Sequence, residues 1–137
     1  MKSSRKRLVA ELDRLFSIYI RTRDKRVTGG ACMMGCGVIE CCFHIISRSK
    51  HAVRWDVSNA IGTCNGANIK YEHDALFVQE VLGRHAQALG RAVWDELKAR
   101  SNQVARFSMD DLRAIKADLL RRIETVCLEE KGYGRKA

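Results

Sequence analysis

Five of the six cysteines, Cys32, Cys36, Cys41, Cys42 and Cys64, fall within 33 residues of a 137-residue chain, and only Cys127 lies outside them. Thiols crowded this closely chelate metal, pair as disulfides or pack as small buried hydrophobes. The start, Met1-Lys-Ser-Ser-Arg-Lys-Arg, is basic and lacks the apolar stretch of a signal peptide, and no apolar run approaches the ~20 residues of a membrane span. The expected setting is therefore the cytoplasm, where metal takes precedence over disulfides. A zinc site, or the vestige of one, is the first expectation. A redox role is weaker, because no basic or helix-N-terminal Cys-x-x-Cys is present to lower a thiol pKa.

The chain contains no proline, which favours long uninterrupted helices. Leu8, Leu12, Leu15, Phe16 and Tyr19 recur at spacings of three and four, predicting a helix over 5–23 with Ser3 or Ser4 as its cap. Thr28-Gly29-Gly30 ends the segment. Val38-Ile39 and the run Cys42 to Ile46 are β-prone and follow a glycine-rich turn, so a two-stranded hairpin is expected there. Residues 47–58 read as a loop in which Trp55 serves as a hydrophobic anchor, and a helix is expected from Asn59 through Cys64, Asn68 and Glu72. Asp74 can cap a further helix, Gly90 separates it from the next, and Ser108 with Asp111 resembles a capping box opening the last. The stripe of that last helix is Leu112, Ile115, Leu119, Ile123 and Val126 or Cys127. The organisation expected is one α+β domain over 1–137: a basic N-terminal helix at 5–26, a core at 31–73, a helical part at 74–130 and a flexible tail at 131–137.

Lys and Arg outnumber Asp and Glu by 25 to 16, a net charge of +9. Through Arg26 there are nine basic and three acidic residues. Arg5, Lys6, Arg7, Arg14 and Arg21 are suited to a polyanion, because fixed cations displace the counterions condensed on nucleic acid. No membrane partner is expected, and the sequence leaves the oligomeric state open, a dimer included.

The chemistry concentrates in His44, Asn59 fifteen residues later and Asn68 nine after that. A histidine of ordinary pKa takes a proton from water near neutral pH. An amide can fix an imidazole or offer a neutral oxygen to a hard cation. Asn68 and Glu72 are four residues apart, so on a helix both project to one face. Arg48, Lys50, Arg54 and Lys70 flank this set as phosphate contacts. His73 follows Glu72 but falls on a different helical face, and reads as a surface residue.

The order of His44 in Phe-His-Ile-Ile-Ser-Arg, Asn59 in Asp-Val-Ser-Asn and Asn68 in Cys-Asn-Gly-Ala-Asn resembles the HNH, or ββα-metal (His-Me finger), endonucleases. The stretch Leu12 to Arg21, the cysteine-glycine knuckle, His44 to Arg48, Arg54-Trp55-Asp56 and the helical tail are similar to the NinG (Rap) recombination proteins of lambdoid phages. The resemblance implies a small ββα-metal centre with a zinc-knuckle-like loop, flanked by amphipathic helices. It also implies hydrolysis of DNA phosphodiester bonds, on branched or recombination-intermediate DNA, in a phage or prophage setting within the bacterial cytoplasm. By the same resemblance His44 is the general base, Asn59 orients it, and Asn68 with Glu72 holds Mg²⁺ or Mn²⁺. Cys32, Cys36 and Cys64 would form a structural zinc site, with Cys41 or Cys42 as substitutes for a missing thiolate. Two positions depart from the pattern. Phe43 stands where many members carry a metal-binding Asp, and Ala67 stands where the second cysteine pair would close. Their alternative implication is a DNA-binding module without catalysis.

Overall fold

The apolar spacing of Leu12, Leu15, Phe16, Tyr19 and Ile20, in a stretch without glycine or proline, forms helix α1 over Ser4–Thr28. The computed structural model describes residues 3–130; the tail expected at 131–137 lies outside the described residues. Ser3 caps α1 by accepting a hydrogen bond from the Lys6 amide at 3.2 Å. Gly29 closes it in the left-handed region at φ 72°, a conformation costly for any residue with a Cβ.

Strands β1, Cys41–His44, and β2, Ala60–Thr63, pair antiparallel, with Cys41 opposite Thr63 and His44 opposite Ala60. This corrects the expected hairpin. Val38 makes only an isolated bridge to Ala31, and the partner of β1 comes from residues read as the start of a helix. Helix α2 begins later, at Asn65, and runs to His73, with the Cys64 sulfur accepting from the Ala67 amide at its N-terminus. The four β2 residues are all buried and are held by α1. Asp24, 3% exposed, accepts from the Gly62 amide at 2.6 Å. Its charge is matched by Arg23, which also donates to the Val57 and Ala60 carbonyls, both at 2.8 Å. A buried carboxylate survives only with such pairing. Gly62 is required at this crossing, because a Cβ would lie 3.1 Å from Ile39 and 3.3 Å from Asp24.

Three helices follow: α3 over Ala75–Leu89, α4 over Arg91–Ser101 and α5 over Met109–Glu130. Asp74 caps α3 through the Phe77 amide. Ser108 and Asp111 exchange hydrogen bonds at 2.8 and 3.0 Å, the reciprocal box expected from their spacing. Leu112, Leu119 and Val126 of α5 pack with the apolar face of α1 and with Ala60. A second cluster joins Phe43, Val53, Ile61 and Ala67 to Phe77, Val81, Trp94 and Leu97 of α3 and α4. The architecture is α+β, mostly helical around one two-stranded sheet. Among the described residues, no helix is long and apolar enough to cross a membrane.

Candidate functional site

Alternation along β1 sends Phe43 and His44 to opposite faces. Phe43 is 1% exposed in the core, edge-on to Tyr71 at 4.7 Å. His44 is half-buried and stacks on Phe16 of α1, ring centroids 5.3 Å apart. Its Nε2 lies 2.9 Å from the Arg54 carbonyl. A carbonyl only accepts, so the neutral ring carries its proton on Nε2 and leaves a lone pair on Nδ1. Burial lowers the pKa of His44 and outweighs the Arg54 carbonyl and Asp13, which raise it; Arg48 and Arg54 lower it further. The imidazole is neutral near pH 7.

His44 opens onto a cleft of about 770 Å³ between α1, β1 and α2. Asp13, Ser17 and Arg21 line it from one face of α1, Arg48 from the loop after β1, and Asn68, Tyr71 and Glu72 from α2. Asn68 and Glu72 thus share a helical face, as their spacing requires, and both are exposed to the cleft. Among the described residues the Asn68 side chain makes no hydrogen bond, and the Glu72 carboxylate meets only His73, at 3.8 Å. Tyr71 was not singled out by sequence, though its spacing of three from Asn68 was a signal. Its hydroxyl donates to the Ile45 carbonyl at 3.0 Å, tying α2 to the residue after His44. A second, apolar cavity of about 530 Å³ lies between Met33, Met34, Ile61, Val81 and Leu89 and contains none of the candidate residues.

Asn59 makes no hydrogen bond to the imidazole. It is fully buried; Oδ1 accepts from the Ile46 amide at 2.8 Å, and Nδ2 donates to the Ile46 and Val53 carbonyls at 2.9 and 3.1 Å. Both amide protons are spent on the loop that leaves β1, so the expected direct orientation of His44 is replaced by a clamp on that loop. Asn59→Ala would leave the part-buried Ile46 amide and carbonyl without this partner and open a void in the core, while the Val53 carbonyl keeps the Asp56 amide at 3.2 Å. It should cost about 2–4 kcal/mol of stability in urea unfolding; a loss below about 1 kcal/mol would show that the clamp is dispensable.

The expected cations divide by position. Arg21 and Arg48 line the cleft, Arg21 braced by the Ser17 carbonyl and hydroxyl. Lys6 and Arg5 border a shallower groove that shares Asp13 with the cleft, and Arg5 donates to the Phe107 carbonyl at 2.7 Å. Arg7, Arg14 and Lys50 are exposed. Arg54 is not free for phosphate, because it is paired with Asp13 at 2.5 Å and lies over Trp55. Lys70 covers the Phe77 ring at 4.8 Å and does not line the cleft. Trp55 anchors its loop as expected, packing on Phe107 and donating to Asp13 at 3.0 Å. His73 is exposed, whereas His85 is buried on the Ser58 carbonyl at 2.6 Å.

The sulfurs of Cys32, Cys36 and Cys64 lie within 4.8 Å of one another, close enough to hold one metal ion. Cys36 is 3.6 Å from Cys32 and 3.0 Å from Cys64. Three soft thiolates fit zinc and leave its fourth tetrahedral position to another donor. The hydrogen bond to Cys64, then burial, pushes the Cys36 thiol up to about 12. Cys32 is lowered: burial raises it, but hydrogen bonds from the Cys64, Met34 and Cys36 amides prevail. Cys41 and Cys42 do not complete the set. Cys41 faces Thr63 and the Cys64 carbonyl, and Cys42 packs with the α1–α5 cluster.

No family model, no curated protein and no solved structure matches the chain.

Proposed function

We propose that this chain is a metal-dependent DNA endonuclease built on the HNH pattern, similar to the NinG proteins and directed at branched or recombination-intermediate DNA. The observation that carries the reading is one cleft holding a neutral imidazole with Nδ1 unprotonated, two hard oxygen donors on one face of α2, and Arg21 and Arg48. Asn68 Oδ1 and the Glu72 carboxylate fit Mg²⁺ or Mn²⁺, which take oxygen ligands and leave positions for phosphate and water. Such an ion supplies Lewis acidity to the scissile phosphate. His44 Nδ1 takes the proton of the attacking water while its oxygen bonds to phosphorus and the bond to the leaving oxygen breaks. Arg21 and Arg48 hold the phosphate backbone. The zinc-binding triad Cys32, Cys36 and Cys64 then serves to set the start of α2, which Cys64 caps.

Phe43, buried where the family pattern has a ligand, favours one competing reading, a DNA-binding module without catalysis. Nicking of duplex, single-stranded and junction DNA in the presence of Mg²⁺ or Mn²⁺ separates the two. Both readings require phosphate contacts. If Lys6, Arg14, Arg21 and Arg48 each neutralise one phosphate, log affinity should fall against log salt with a slope of about −3 to −4. A flat response in a fluorescence-anisotropy titration would exclude DNA as the partner.

A further inference from the structure

Two consecutive loop residues converge on one carboxylate. Asp13 Oδ1 accepts from Arg54 Nε at 2.9 Å and from Trp55 Nε1 at 3.0 Å, and Oδ2 accepts from Arg54 Nη2 at 2.5 Å. The peptide unit joining Arg54 to Trp55 is therefore pinned through the side chains on both sides of it. The oxygen of that same peptide receives His44 Nε2. One turn along α1 from Asp13, Phe16 supplies the ring on which His44 stacks. The pair is half-buried, with side-chain exposures of 17% for Arg54 and 25% for Asp13, so its geometry is held better than that of a surface ion pair.

We propose that Asp13 is a positioning residue for His44: by clamping the Arg54–Trp55 peptide it fixes the carbonyl that holds the proton on Nε2 and keeps Nδ1 as the basic atom of the cleft. A bidentate carboxylate–guanidinium pair has the directional rigidity this requires, which a single point charge lacks. The charges around His44 are Asp13 from α1 and Arg48 and Arg54 from the loop, and Glu72 of α2 faces the same cleft. Of these, Asp13 is the negative group that favours the imidazolium while also fixing the tautomer of the neutral ring.

The inference rests on the nuclease reading only for what the basic Nδ1 does, so its primary test uses no DNA. In ¹⁵N-labelled full-length protein, two-bond proton–nitrogen spectra report the tautomer and titration of His44. The wild type should show the Nε2–H form almost alone. Asp13→Asn should mix the tautomers and move the titration midpoint down, because a negative charge is lost. Arg54→Lys, which keeps the charge but not the fork, should mix the tautomers as well and serves if Asp13→Asn does not fold. Asp118→Asn removes a carboxylate paired with Arg121 and Arg122 on α5 and should leave His44 unmoved. A wild-type proton on Nδ1, an unchanged His44 in folded Asp13→Asn, or an equal change in Asp118→Asn would overturn the proposal. In cleavage, Asp13→Asn should lower kcat by about 10–100-fold, the range seen when outer-shell partners are removed, with KM unchanged. If His44→Ala abolishes cleavage while Asp13→Asn leaves the His44 spectrum intact, this inference falls and the nuclease reading stands. If the spectrum changes but no DNA is cut, the reverse holds.

Discussion

Replacing His44 with alanine should lower the single-turnover cleavage rate by about 10²–10⁴-fold, the usual contribution of a positioned general base, and leave DNA affinity unchanged. The asymmetry follows from geometry. On the proposed nuclease reading the neutral His44 would serve proton transfer and add little to holding phosphate, which would fall to Arg21 and Arg48 in the same cleft. The wild-type pH profile carries the same signature. The base must be neutral, and burial lowers its pKa below the ordinary 6.5. Activity should therefore persist as pH falls through 6.5 and decline with unit slope only at more acidic pH. Stability follows the same sign. The native state favours neutral His44 and His85, both lowered by burial, so below 6.5 the unfolded chain takes up protons first and stability is lost. A rate loss under tenfold in His44→Ala, or an acid limb centred above 6.5, would remove His44 as the base.

What could be read from the sequence was what depends on near neighbours. The three-and-four spacing from Leu12 to Tyr19, the caps at Ser3, Asp74 and Ser108, and the shared face of Asn68 and Glu72 are local properties, and the structure has them. β2 was read as helix because Ala-Ile-Gly-Thr is too short to show a period. It is held as a strand by Arg23 and Asp24 of α1, 37 and 38 residues before the backbone they bond in Ala60 and Gly62. Arg54 was read as a phosphate contact because a basic residue near a candidate base looks free until its partner is found. That partner, Asp13, lies 41 residues earlier. Asn59 is expected to orient His44, but its contacts are with Ile46 and Val53 backbone groups that no pattern of residue types displays. The crowding of the cysteines pointed to metal, but which three converge came only from the family resemblance, as did the gap at Ala67, which is 1% exposed in the core beside Cys64.

The oxygen donors of α2 make the second large prediction. Asn68→Ala should abolish Mg²⁺- or Mn²⁺-dependent cleavage, a loss of at least the order of 10²-fold expected when a metal loses one of two protein ligands. The fold should survive, because Asn68 is exposed, its side chain makes no hydrogen bond among the described residues, and Ala is the better helix former by about 0.6 kcal/mol at most. Circular dichroism and the urea midpoint check that half of the argument. Glu72→Gln is the informative companion. It keeps the length and one carbonyl oxygen but removes the charge, so the metal concentration at half-maximal rate should rise more than the maximal rate falls. Neither substitution alters the triad of Cys32, Cys36 and Cys64, so zinc content should be the same as in the wild type. Full cleavage by Asn68→Ala at unchanged metal demand would mean that α2 does not carry the ion, and the cleft would then be a DNA-binding surface with a buried Phe43 and no catalytic metal.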